Sequence, residues 1–401
     1  MNTLKITLTP TGRFFFGGET KFGDPALDQR RTTYVIHSQY FPQQTALLGM
    51  LREQLLLQNG LLRHTRDRVK DKTAAQLLIG DTGFQVSGQR NDYGAIEGLS
   101  PVYISDKAGR LWQTAPLDDC LMPNPVTEAL DQEMRFRLND LSGVQVPVLE
   151  HYSAKTGLQG QLQTPASASN EPLKCFFSPE TQIGITKAAR PWRRPNEADR
   201  DDEAGFFKQT FLRFHPEAAM QPRSFVFYVS LRPVHFGQSG IAYSNDAPMP
   251  AGGKFTESGF YTLRSALISM GGERSAFNME VTAGDPPALP VAYRHRSDRP
   301  ELNRIVLTSD TFVDPVQLRA NSCLVVANSV SFRFLSSTIA RTDHFHSLGQ
   351  AGSNKLVSSK QFHLLQRGGV IYAGPDQLKA LEPLLQQPDF QQIGYNTYQI
   401  L

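Results

Sequence analysis

The sequence predicts an α+β protein. Strand-length stretches with a period of two outnumber helical stripes, and two successive strand–loop–helix series each carry a glycine-rich element. Two ferredoxin-like (RRM-like) domains satisfy both observations, because a β-α-β-β-α-β unit lays a helix layer on an antiparallel sheet. At 401 residues the chain exceeds one ordinary core. The division falls near Met220, giving an N-terminal domain over 1–220 with long loop insertions and a C-terminal domain over 221–401 that holds the second glycine-rich loop.

In the first half, Leu4, Ile6 and Leu8 alternate with Thr3, Lys5 and Thr7, the pattern of a strand with one buried face. A turn at Thr9-Pro10-Thr11-Gly12 leads into a short aromatic strand, Arg13 to Glu19, and then a basic, aromatic loop that reaches Arg30-Arg31. A second strand spans Thr33 to Ser38. Pro42 then opens a helix with Leu47, Leu48, Leu51 and Leu55 in one stripe, Gln43, Arg52, Glu53 and Gln58 facing away, and Gly60 to end it. Arg63 to Lys72 mixes five cations with two acids and reads as a solvated helix end or as a run along phosphates. Gln159–Asn170 and Pro191–Asp202 lack periodicity and read as loops. Ser224 to Arg232 is a strand and begins the second series.

A second glycine element closes the stretch from Ser265 to Met270, which reads as a helix stopping at Gly271-Gly272, with Arg274 following and a strand beyond. Such a pair serves as a helix C-cap, or it leaves backbone N–H groups open to another backbone or a phosphate, with Arg274 as a planar fork beside it.

Composition bounds the chemistry. Hydrophobic residues at 40% and charged residues at 20% place the chain among globular proteins, and a net charge of +3 excludes indiscriminate coating of nucleic acid. Any nucleic-acid contact must be local. Cys120, Cys175 and Cys323 are odd in number, widely spaced and without Cys-x-x-Cys, so reduced core thiols are expected in place of a disulfide framework or zinc site. The N-terminus alternates, and no segment approaches the length of a membrane span, so a cytoplasmic protein is expected.

The order of motifs resembles a family. The pieces are Leu8-Thr-Pro with Phe15-Phe-Gly-Gly-Glu and Phe22-Gly23; Phe41 to Arg52; Gln182-Ile-Gly-Ile-Thr-Lys187 with Gly205-Phe-Phe-Lys; Met270-Gly-Gly-Glu-Arg274; Ile305-Val-Leu-Thr308; and Lys360 with Arg367-Gly-Gly-Val-Ile-Tyr-Ala373. Together they resemble the RAMP-superfamily subunit three of the Cmr (type III-B) CRISPR effector complex, in the Cas-five group; a divergent type III variant or the equivalent Csm subunit shares the pattern. The chain departs from that family in its front loop, where Gly17-Gly18-Glu19-Thr20-Lys21 replaces an Arg-Asp-Gly-Arg-like run.

The resemblance implies a subunit that caps the 5′ repeat-derived handle of a crRNA and docks on a large Cas-ten-type subunit and a Cas-seven-group backbone subunit, without a cofactor. Splayed nucleotides need glycine loops near phosphates, aromatics for stacking and arginines for charge. The residues expected to meet RNA are Arg13, Phe16, Gly17, Gly18 and Lys21; Gln43, Gln44 and Arg52; and Gly271, Gly272 and Arg274. Each has a plainer alternative, Phe14 and Phe16 as core and Arg52 as a surface charge among them.

A ribonuclease reading centres on His37, near Ser38 and Tyr40, whose alternative is a strand-end histidine. Asp343-His-Phe-His346 has two histidines on one face of a strand and no third ligand in evidence. No P-loop, His-Glu-x-x-His or Gly-x-Ser-x-Gly motif is present. A non-catalytic RNA-binding subunit is therefore expected, with an endoribonuclease or a protein-binding scaffold as alternatives.

Overall fold

The structure, a computed structural model, describes residues 2–17, 20–22, 34–63, 68–69, 71–119, 121–123, 130–133, 135–142, 144–155, 157–164, 170–185, 206–216, 221–234, 261–271, 273–287, 302–336 and 357–401. The elements that position the site are, in chain order, β1 (Asn2–Pro10), β2 (Tyr34–His37), α1 (Gln44–Gln58), α2 (Lys72–Ile79), β3 (Tyr103–Asp106), β4 (Phe177–Ile185), β5 (Phe206–Phe214), β6 (Pro222–Leu231), β7 (Ala266–Met270), β8 (Ser275–Ala283), β9 (Asn303–Leu307), α3 (Pro315–Ala320), β10 (Leu324–Val326), β11 (Val370–Ala373), α4 (Pro375–Leu385) and β12 (Tyr398–Ile400). The architecture is α+β, mostly antiparallel sheet with few helices.

Its centre is a nine-stranded sheet in which β1 lies between β6 and β8, with β3 beyond β6 and β7 at the far edge beyond β8. Both ladders of β1 are antiparallel: Ile6 faces Phe227 on one side and Val281 on the other, and Leu8 faces Phe225 and Met279. The alternation read from the sequence explains this placement, since Ile6 and Leu8 are fully buried while Lys5 and Thr7 are half-buried. These ladders join strands from both sides of Met220, so the expected division runs through one sheet and one core.

α1 covers the core with Leu47, Leu48, Leu51 and Leu55, each burial contributing about 1.5–3 kcal/mol before entropy. Gly60, at φ 70°, follows its end as expected. Arg52 departs from expectation. It is 2% exposed, and its Nε donates to the carbonyl of Ile79 at 3.0 Å. The helix lies under α2, whose last carbonyls need a donor where the helix ends, so what looked like the polar side of the stripe is a second buried face.

Four strands of the second half form a second sheet in the order β10-β11-β9-β12, antiparallel throughout, with α3 between β9 and β10 and α4 between β11 and β12 in the chain. Asp314 caps α3 by accepting from the amides of Val316 and Gln317, and Pro375 starts α4 where no N–H is required. Leu318 of α3 and Leu381 and Leu385 of α4 pack on Ile305, Leu307, Ile371 and Ala373. The opposite face, with Val306, Val370 and Tyr372, is closed by Leu117 and Phe136 from the first half.

Several expectations need correction. Ser265–Met270 contains no helix: Ala266–Met270 is strand β7, an edge strand paired with β8. Alternating burial of Ile268 and Met270 against exposed Leu267 and Ser269 is a period of two, which a short apolar run conceals. Within Arg13–Glu19, the described residues form a single bridge, Phe14 with Leu212, in place of a strand. Gln161–Gln163, expected in a loop, pairs with Leu111–Thr114. In the charged run, Leu62–Arg63 pairs with Arg68–Val69, and Asp71 caps α2 through the Ala74 amide. Cys175 and Cys323 are free thiols but exposed, not core; Cys120 lies outside the described residues.

Candidate nucleic-acid interface

After the turn at Thr11-Gly12 the chain crosses back over the edge of a four-stranded sheet made of β4, β5, β2 and Thr20–Phe22. The Phe14 amide donates to the Leu212 carbonyl at 2.7 Å and the Leu212 amide returns the bond at 2.9 Å, which fixes the crossing segment as extended backbone. Successive side chains therefore alternate. Phe14 and Phe16 point into the aromatic core, Phe16 stacked on Phe277 with centroids 6.0 Å apart and planes 8° apart. At 4% exposure its ring is committed to that core and presents no face to a base, the plainer of its two readings.

Arg13 points the other way. Its guanidinium lies 4.3 Å over the ring of Phe211, which Phe15 meets edge-on at 5.5 Å. Arg13 Nη1 donates to Glu180 Oε1 at 2.7 Å and Nη2 to Gln182 Oε1 at 2.6 Å, while Arg213 Nη2 donates to Glu180 Oε2 at 2.5 Å. Bonds from Arg13 and then Arg213 hold the Glu180 carboxyl below the usual carboxylate range. The cluster is exposed, and it forms because antiparallel pairing sets Glu180 opposite Phe211 and Gln182 opposite Gln209 on one sheet face.

The second loop arrives at the same place. β7 and β8 make a hairpin whose turn, between Met270 and its partner Ser275, contains Gly271 at φ 79° and Arg274 at φ 49°. The Arg274 amide closes the turn on the Gly271 carbonyl at 3.1 Å, and the Arg274 side chain is exposed. Ser275 Oγ accepts the Phe15 amide at 2.9 Å. A Cβ on Gly271 would lie 3.2 Å from the Phe15 carbonyl oxygen, so glycine is needed both for the positive φ and for the approach of the two backbones. Arg13–Gly17 and Gly271–Arg274, some 260 residues apart, thus share one surface edge.

The other expected residues fall elsewhere. Gly17 is exposed, with open space where a Cβ would stand. Lys21 pairs with Val35 in the Thr20–Phe22 strand, its side chain outside the described residues, as are Gly18 and Gly272. Gln43 is the half-buried N-cap residue of α1. Gln44 is fully buried and donates through Nε2 to the carbonyls of Ser100 and Gly394. With Arg52 buried as well, the Gln44 and Arg52 side chains serve as joints between elements. His37 is an exposed strand-end residue paired with Thr210, and the Ser38 hydroxyl is occupied by the Phe16 amide. His344 and His346 lie outside the described residues.

Sequence reasoning missed Phe15, Glu180, Phe211 and Arg213. The alternation of Phe211 and Arg213 in β5 was the available signal, but nothing local places Arg13 above it. Fold and edge together define an α+β protein with an arginine- and glycine-rich surface where its two halves meet. A model of the family described as CRISPR-associated protein (Cas_Cmr3) matches residues 6–401. The chain belongs to that Cmr3 family, whose members are subunits of the multi-subunit type III CRISPR effector. Among curated proteins no relative matches. Among the described residues no helix is long and apolar enough to cross a membrane.

Proposed function

We propose that this chain is a non-catalytic, cytoplasmic subunit that caps the 5′ repeat-derived handle of the crRNA and joins a large Cas-ten-type subunit to a Cas-seven-group backbone subunit. The observation that carries the reading is the convergence of the Arg13–Gly17 segment and the Gly271–Arg274 turn on one edge. Single-stranded RNA is held by arginine forks on phosphates and by backbone that comes close where side chains are absent, and both lie together there. The β9-α3-β10-β11-α4-β12 order of the second sheet and its two helices supports a ferredoxin-like C-terminal half, with further short elements inserted, and the reading extends that fold to the N-terminal half.

The test is an RNA titration of the subunit with its large partner, using a crRNA with its native handle, one with a scrambled handle, and the Gly271→Asp/Arg274→Glu variant. The expected result is preference for the native handle, with affinity falling about tenfold or more in the variant. The salt dependence should also become shallower by about 0.7 for each phosphate that the variant no longer neutralises. Equal binding of both RNAs, unchanged by the variant, would move the chain to the scaffold reading.

A further inference from the structure

We propose that Arg13 and Arg213 form a phosphate clamp whose seat the Glu180 carboxylate fills until a backbone phosphate of RNA displaces it. This inference rests on the RNA-binding reading and names how that surface is gated. Each oxygen of Glu180 takes one arginine, Oε1 from Arg13 and Oε2 from Arg213, the arrangement by which two non-bridging phosphate oxygens are held. Carboxylate and phosphodiester carry the same charge, so the exchange leaves the charge at the clamp unaltered.

Three features make the exchange feasible. The side chains of Arg13, Glu180 and Arg213 are 37%, 38% and 51% exposed, so the pairs are weakly held and open to a ligand. Arg13 does not depend on Glu180 for its position, since Gln182 holds Nη2 and Phe211 supports the guanidinium plane. The fork would therefore stay aimed when the carboxylate swings away, which limits the entropy lost on binding. Finally, Phe15 links Phe211 to the Gly271–Arg274 turn, placing the clamp beside the second loop on one path for a strand.

The experiment uses the full chain at fixed ionic strength with two probes, a short single-stranded RNA and inorganic tripolyphosphate, and compares wild type with Glu180→Gln, Arg213→Ala and the double variant. Glu180→Gln should tighten binding of both probes about three- to fivefold, the scale of one exposed charge interaction. Arg213→Ala should weaken binding, and the double variant should lose the gain. Unchanged or weaker binding by Glu180→Gln at an unaltered unfolding midpoint would overturn the clamp. If that midpoint drops, Glu180→Thr, neutral and suited to a strand, reads the same exchange. RNA binding that responds to Arg274→Glu but ignores Glu180 and Arg213 would overturn the clamp and leave the handle reading standing. A Glu180→Gln gain seen with tripolyphosphate, from a chain that binds no RNA, would overturn RNA as the occupant of the clamp together with the handle reading, and leave only a seat for free polyphosphate. Binding of neither probe would overturn both.

Discussion

Two arginine–carboxylate groups in this molecule use the same chemistry to opposite ends. On the surface, Arg13 and Arg213 share Glu180 over an exposed sheet face. In the interior, Arg304 gives both Nε and Nη2 to Asp118, at 2.8 and 2.6 Å, and the Tyr372 hydroxyl donates to the same carboxylate. The Arg304 and Asp118 side chains are 1% and 3% exposed. Burial works against the Arg304 charge, but Asp118 outweighs it and holds the guanidinium above its ordinary pKa; burial and then Asp118 raise Tyr372. The buried group fastens the Leu117–Asp119 turn of the first half to the second sheet. The exposed group fastens little, which is what leaves it able to exchange partners. Environment, and not residue type, separates an anchor from a binding surface.

The contrast can be broken by mutation, in descending order of effect. Arg304→Ala strands a buried carboxylate, and urea denaturation should report a loss of about 3–5 kcal/mol. A loss below about 1 kcal/mol would mean that solvent reaches Asp118, and the distinction would fall. Arg52→Ala removes the donor over the end of α2, where burial has pulled the guanidinium down to about 10, still protonated at neutral pH. The same experiment should give about 2–3 kcal/mol, because the α2 carbonyls are left without that donor. Arg13→Ala should leave the urea midpoint at the wild-type value while weakening RNA binding. A midpoint shift as large as that of Arg52→Ala would reassign Arg13 to the scaffold.

The legible parts of the fold were those with a local period. β1 and β6 alternate or run apolar, α1 carries a leucine stripe, and each was readable from neighbours in the chain. β7 was not, because five residues of Ala-Leu-Ile-Ser-Met fit either period and only the pairing with β8 decides between them. The site was legible in part for the same reason. Gly271 and Arg274 stood out as glycine and charge at the end of an expected helix, and the structure makes them the turn of a hairpin with Arg274 exposed. Phe16, Gln44 and Arg52 carry the right chemistry for RNA, but their neighbours in space occupy them. Arg367-Gly368-Gly369 is a related case. Arg367 is buried over Phe41 and against Asp310, and a Cβ on Gly368 would come within 2.7 Å of the Ala115 carbonyl oxygen, so this loop joins the two halves.

By itself the sequence determined the α+β class, the buried face of β1, the leucine stripe of α1 with Gly60 beyond its end, and the glycine and arginine residues available for a surface, because period and backbone freedom act within a few residues. The order of its motifs carried the family. Only the tertiary structure decided which arginines are anchors and which are accessible, and that loops some 260 residues apart meet at Phe15 and Ser275. Burial and approach between distant segments depend on the packing of the whole sheet, which no local window contains.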